Sequence, residues 1–322
     1  MITAIVNPRA SRRHADVAQA ITSTAARARL LAADAEADVD ALLLDADALA
    51  AQSLLVVVGG DGTVSNLLTR AAMHGVLQQL PPLLLLPVGE LGTAARQLVG
   101  TGDAASLAER ILVAWGRGVR RVVEMPVVQV RVEGSAARVG LTASLGAIAR
   151  AHRDYARARI GGTVGIGEVL LRFGTASLPD ERFSPIGDGL RCEDGSGRTW
   201  MHQRATAALF GPLPGFFGWV RPFPGVRALA TRDLHGLVSE LGPFATRVSL
   251  PQLLRGARPS GRRLHGHGVQ TASFTAGERP DVVALDGEVI AVAPSANVRI
   301  DATAPIRVVA WRPISRESAT VA

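Results

Sequence analysis

The pentapeptide Gly59-Gly60-Asp61-Gly62-Thr63 stands between an apolar run, residues 54–58, and a stretch with helical spacing, residues 64–74. Glycines at such a junction allow positive φ and a close backbone approach, and the helix that follows points unpaired N–H groups at whatever lies before it. Phosphate suits that arrangement. A carboxylate in an anion cradle repels phosphate unless a divalent cation or a hydroxyl accompanies it, so Asp61 points to Mg²⁺ or to proton handling. A tight turn with an Asp cap accounts for the same five residues. Near the other end, Asp286-Gly287-Glu288 sets two carboxylates around a glycine. That pattern suits metal positioning or proton abstraction, and equally a plain hairpin turn.

Other chemistries are excluded by composition. Cys192 is the only cysteine of the 322 residues, so an intrachain disulfide and a cysteine-cluster metal site are ruled out. All 35 basic residues are arginine, which removes a P-loop lysine and a lysine Schiff base. The formal charge of +7 suits phosphate or anionic lipid. Nucleic acid is not an expected partner, because only 4% of residues are aromatic and the arginines are scattered rather than blocked. His235, His265 and His267 lie among Gly and Arg and read as a solvated loop rather than a metal site. Phe216, Phe217 and Trp219, next to Arg221, read either as a lipid-facing lip or as core.

The elements that must position these residues follow from patterning. An apolar content of 48% against 20% charged describes a folded chain, and the length suits two domains. In the first third, residues 2–6, 54–58 and 83–86 read as strands. Residues 14–30, 39–51, 64–74 and 93–99 read as helices or helix starts. The expected fold there is an α/β domain with a mainly parallel sheet and flanking helices. Beyond residue 120 the Val- and Thr-rich runs, broken by Gly and Pro, give a β-rich antiparallel sandwich with one helical interruption between residues 148 and 173. Strands are expected at 205–210, 237–241, 269–274, 282–285 and 298–300, and loops at 179–197 and 255–268. The expected domains are residues 1–123, completed by 304–322, and residues 124–303. No apolar run approaches membrane-spanning length, and the first residues do not read as a signal peptide, so a cytoplasmic protein is expected.

Taken in order, Val6-Asn7-Pro8, Gly59 to Thr63, Pro87-Val88-Gly89 with Ala95-Arg96, Ser144-Leu145-Gly146 and Asp286-Gly287-Glu288 resemble the motifs of the diacylglycerol kinase catalytic-domain superfamily. That superfamily includes diacylglycerol, sphingosine and ceramide kinases. The resemblance implies a kinase using ATP and Mg²⁺, with a lipid acceptor met at the inner membrane surface; a homodimer is compatible with it. It implies that Asn7, Pro8, Arg9 and Ser11, with Gly59, Gly60, Gly62, Thr63, Gly89, Glu90 and Arg96, hold the nucleotide. Glu288 would be the general base, and Asp61 and Asp286 would position Mg²⁺ or the acceptor hydroxyl. The chain departs from the family where Glu90-Leu91-Gly92-Thr93 replaces a Gly-Thr-x-Asn-Asp run, where Ser65-Asn66 replaces an Asn-Glu pair, and where Glu124 replaces an Asp at the domain junction. An Asp-rich Mg²⁺ loop is reduced to Arg232-Asp233-Leu234-His235-Gly236. The competing expectations are an NAD kinase-like enzyme, which carries a similar glycine loop, and a catalytically degenerate kinase-fold protein that binds nucleotide or lipid.

Overall fold

The computed structural model describes residues 1–10, 13–25, 28–88, 92–156, 180–215, 221–223, 226, 229–254 and 263–311. The chain divides into two compact units, Met1–Met125 with Ala304–Ala322, and Pro126–Thr303. Strands and helices are numbered along the chain.

In the first unit, β1 (Ile2–Val6), β2 (Ala28–Ala32), β3 (Leu54–Gly59), β4 (Leu83–Pro87), β5 (Val122–Met125) and β18 (Ile306–Val309) form one sheet in the order β2-β1-β3-β4-β18-β5. Every pairing is parallel except that of β18 with β5. Each residue of β3 is buried, which fits a strand covered on both faces and explains its unbroken Leu-Leu-Val-Val-Val run. The helices are α1 (His14–Thr24), α2 (Glu36–Leu44), α3 (Ala46–Ala50), α4 (Asp61–Met73), α5 (Thr93–Leu98) and α6 (Ala104–Gly116). In α4, Val64, Leu67, Leu68 and Ala71 recur at helical spacing and are all buried.

Two expectations about this unit need correction. The helix expected over 14–30 stops at Thr24, and residues 28–32 pair instead with β1, Ile2 opposite Ala28. Ala and Leu favour helix weakly, and the free edge of β1 overrides that preference. The helix expected over 39–51 breaks at Asp45, whose backbone is extended and whose carboxylate accepts from Ala48 N–H, 2.9 Å. An Asp that caps a new helix terminates the old one.

The second unit is all antiparallel. One sheet runs β10-β9-β14-β17-β6-β7, built from β6 (Val128–Val132), β7 (Arg138–Gly140), β9 (Leu190–Glu193), β10 (Thr199–His202), β14 (Thr271–Thr275) and β17 (Asn297–Ala302). The other runs β13-β12-β11-β8-β15-β16, built from β8 (Ala143–Gly146), β11 (Ala207–Gly211), β12 (Leu234–Ser239), β13 (Leu264–Val269), β15 (Asp281–Leu285) and β16 (Glu288–Val292). Both sheets contribute to one buried core, Val130, Ile300 and Phe274 from the first meeting Leu145, Phe210 and Val283 from the second. Residues 190–193 and 264–268, expected in loops, are strands: their partners β14 and β12 supply pairing that the local Gly and Arg content conceals. The helix α7 (Ala147–Ala156) accounts for the start of the expected interruption, and α8 (Pro243–Leu254) was not foreseen. Residues 157–179 and 216–220, the latter holding Phe216, Phe217 and Trp219, lie outside the described residues; their neighbours Phe210 and Phe223 are buried.

Candidate active site

In the first unit β3 runs into α4 through Gly59 and Gly60. Gly60 is extended, φ −89° and ψ −178°, and its carbonyl accepts from Thr63 N–H at 3.0 Å and Val64 N–H at 3.3 Å. A Cβ on Gly59 would stand 2.4 Å from Thr63 Oγ1, so the turn closes this tightly only over glycine. Asn7, at the end of β1, ties the adjacent strand to this turn. Its N–H donates to the Val58 carbonyl (2.9 Å), its Nδ2 donates to Thr63 Oγ1 (2.8 Å), and its Oδ1 accepts from Arg9 N–H (2.9 Å). Pro8 and Arg9 are exposed, and the Arg9 guanidinium stands 3.7 Å from Asp34. At that exposure the ion pair adds little, so Arg9 stays available to an anion.

Asp61 is the first residue of α4, and its carboxylate faces away from that helix. Oδ2 accepts from Thr93 N–H (2.9 Å) and Oδ1 from Ala94 N–H (3.2 Å), the first two residues of α5. A negative charge is favoured at a helix N-terminus, so Asp61 locks the start of α5 beside the glycine turn. Gly92, at φ +46°, lets the chain enter α5 at that angle. Burial pushes the Asp61 carboxyl above its usual range, against the backbone hydrogen bonds of Thr93 and Ala94 and the charge of Arg96. Sequence reading missed the Thr93 and Ala94 contacts; a left-handed Gly before a Thr-Ala-Ala helix start was the only local signal.

The carboxylates of the second unit sit on the β15–β16 hairpin. Asp286 and Gly287 have φ of 49° and 87°, as a two-residue type I′ turn requires, and Leu285 pairs with Glu288. Asp286 Oδ2 accepts from Leu141 N–H (2.8 Å), and Asp286 N–H donates to the Thr142 carbonyl (2.8 Å). Gly140 makes this approach possible, since a Cβ there would fall 2.4 Å from Asp286 Oδ2. Glu288 is exposed, with Arg138 Nη1 at 3.3 Å from its Oε2. His152, on α7, was not singled out from sequence: its Nδ1 lies 3.8 Å from where a Gly287 Cβ would stand, and burial pushes its pKa down. Ser144 is buried on β8 opposite Ala284, and Gly146 ends that strand at φ +60°. Asp233 accepts from Gly195 N–H at 3.1 Å and so pins a turn.

Asn7, Gly59, Gly60, Asp61, Gly62, Thr63 and Arg96 thus gather at the ends of β1, β3 and the start of α5, whereas Asp286 and Glu288 belong to the second unit. Ser11, Gly89 and Glu90 lie outside the described residues. As Mg²⁺ ligands, the carboxylates pass a simple test. Mg²⁺ commonly takes one or two carboxylates and completes its shell with water and phosphate oxygens. An ionised carboxylate has about four acceptor sites, and the backbone hydrogen bonds from Thr93 and Ala94 with the side-chain one from Thr93 do not use all of them on Asp61. Asp61 therefore fits a metal held jointly with a nucleotide, while Asp286 Oδ2 is engaged by Leu141.

Comparison of the structure with solved ones gives likenesses over nearly the whole chain. A candidate diacylglycerol kinase from Bacillus anthracis str. Sterne superposes with a TM-score of 0.67 at 17% identity, covering 97% of each chain. A diacylglycerol kinase from the same organism gives 0.62 at 14% identity, covering 98% of each. Yeast NADH kinase complexed with NADH gives 0.51 at 12%, covering 96% of this chain and 82% of that one. The fold is therefore the kinase fold found in lipid kinases and NAD kinases. Residues 1–122, which make up most of the first unit, match the model of the diacylglycerol kinase catalytic domain. Comparison with curated protein sequences gives no match.

Proposed function

We propose that this chain is an ATP-dependent lipid kinase that phosphorylates a hydroxyl of a lipid such as diacylglycerol, ceramide or a sphingoid base. The observation that carries the reading is the glycine turn after β3, stitched to β1 by Asn7 and to α5 by Asp61. It offers the N-terminal N–H groups of α4, a helix of 13 residues, to the phosphates of a nucleotide. Asn7, Pro8, Arg9 and Ser11 with Gly59, Gly60, Gly62, Thr63, Gly89, Glu90 and Arg96 form the nucleotide side of the site. Asp61 and Asp286 are the carboxylates assigned to Mg²⁺ or to holding the acceptor hydroxyl. When bound, Mg²⁺ would neutralise charge building on the phosphate oxygens.

Phosphoryl transfer through a loose transition state needs alignment and charge stabilisation more than covalent chemistry. The acceptor oxygen bonds to the γ-phosphorus as the bond from that phosphorus to the β-phosphate oxygen breaks, and ADP leaves. The hydroxyl proton passes to Glu288, a carboxylate exposed enough to meet a substrate. Asn7 keeps Thr63 in place, and Arg96 supplies positive charge close to Asp61. The enzyme would act in the cytoplasm, peripheral to the inner membrane surface. Among the described residues no helix is long and apolar enough to cross a membrane.

Transfer of labelled phosphate from ATP to diacylglycerol, ceramide, sphingoid bases and NAD tests the reading. Labelling of a lipid supports it; labelling of NAD alone establishes the second reading, which the likeness to yeast NADH kinase favours. No transfer to any acceptor leaves a degenerate binding protein and ends the proposal.

A further inference from the structure

In the second unit, β10 is the last strand of one sheet and β13 the last strand of the other. Side chains alternate along a strand, so Trp200 and His202 share one face of β10, and His265 and His267 share one face of β13. These rings meet across the open edge of the sandwich. His202 and His265 have centroids 4.7 Å apart, and Trp200 stacks on His267 at 4.4 Å. Glu240 follows β12, and its Oε1 stands 3.5 Å from His202 Nδ1.

His202 is only 4% exposed, yet among the described residues its Nε2 has no hydrogen-bond partner. Native proteins rarely leave a buried polar atom unsatisfied, because its lost hydration is not replaced. Around this ring, one ligand atom each from His202, Glu240 and His265 lie within 4.8 Å of one another, and no other such trio of His, Cys, Asp or Glu occurs among the described residues. Two imidazoles and one carboxylate are a donor set for zinc rather than for Mg²⁺ or Ca²⁺, which take oxygen ligands.

We propose that His202, Glu240 and His265 form a zinc site that clips β10 to β13 and so closes the edge of the sandwich. Zinc ligands at about 2.1 Å in tetrahedral geometry stand roughly 3.4 Å apart, so the trio contracts by about an ångström on loading. Water completes the coordination. The role is structural: His202 is buried, and the site ties two edge strands that no backbone pairing joins among the described residues. It holds whether or not the chain is a lipid kinase.

The test uses the full chain, free of any affinity tag and stripped with chelator. Titration calorimetry with zinc should give one saturable equivalent per chain, and zinc, but not an equal concentration of Mg²⁺, should raise Tm by several degrees. Glu240→Gln and His265→Asn, both at partly exposed positions, should each weaken zinc binding at least tenfold. Absence of saturable binding to the folded chain, or unchanged affinity in the double variant, overturns the proposal. If the variants do not fold, Co²⁺ bound to the wild-type chain decides: the strong visible bands of a four-coordinate ion support the site, and the weak bands of an octahedral one sink it.

Discussion

Gly59 and Asp61 show how little freedom the phosphate turn leaves. With Thr63 Oγ1 only 2.4 Å from where a Gly59 Cβ would stand, Gly59→Ala has to push Thr63 away and break its bond from Asn7. Overpacking of this kind typically costs about 1–3 kcal/mol. We expect a lower Tm and, on the kinase reading, a raised KM for ATP, read by thermal melts and steady-state kinetics. Glu288 is the opposite case, since it is exposed and, among the described residues, its carboxylate pairs with Arg138. Glu288→Gln should leave the melting curve within about 0.5 kcal/mol of wild type. On the same reading it should lower the transfer rate by roughly 10²–10⁴-fold, the usual worth of a general base. A variant that transfers phosphate at the wild-type rate removes Glu288 from that role. The Asp-Gly pair beside it was legible as a hairpin, because few residues other than Asn, Asp and Gly tolerate positive φ. That Asp286 also reaches Leu141, 145 positions away in sequence, was not legible.

Two helices are held by charged groups whose contributions can be measured. Asp40 on α2 accepts from Arg70 on α4 at 2.6 Å and lies 3.0 Å from His74. The Arg70 hydrogen bond, joined by that of His74, holds the Asp40 carboxyl below its usual range despite partial desolvation. A depressed folded pKa means stability that is present above the unfolded value and lost as pH falls through the folded one. Asp40→Asn should therefore cost about 1 kcal/mol or less at neutral pH, and the gap to wild type should close in acid below roughly pH 4, as denaturant melts across pH would report. On α7, the Arg150 guanidinium forks onto Asp281 at 3.0 and 2.7 Å and donates to the carbonyls of Arg182 and Ser184. Both partners are nearly buried, so Arg150→Ala strands the Asp281 charge and should cost about 3–5 kcal/mol. An unchanged denaturation midpoint would refute that. Element types were readable where one periodicity ran unopposed, as in β3 and α4. They were misread at residues 28–30 and 264–268, where pairing with a distant strand outweighed local composition.

For the molecule as a whole, the lysine-free surplus of +7 predicts attraction to anionic vesicles that weakens steeply as salt shortens the Debye length. Vesicle partitioning that ignores ionic strength would separate membrane binding from net charge. Cys192, buried in the core of the second unit with its pKa pushed up to about 12, should stay unmodified by a thiol reagent until that unit unfolds. The sequence by itself determined the succession of an α/β part and an antiparallel β part, the glycine turn after a doubly covered strand, and the Asp-Gly hairpin. Those features are written in φ preferences and in periods of two or 3.6, which act within a few residues. Only the tertiary structure decided that Asn7 holds Thr63, that Asp61 anchors α5, and that His202, Glu240 and His265 converge. Such meetings depend on strand register and packing across tens of residues, and a shift of one residue in register would turn each side chain to the other face.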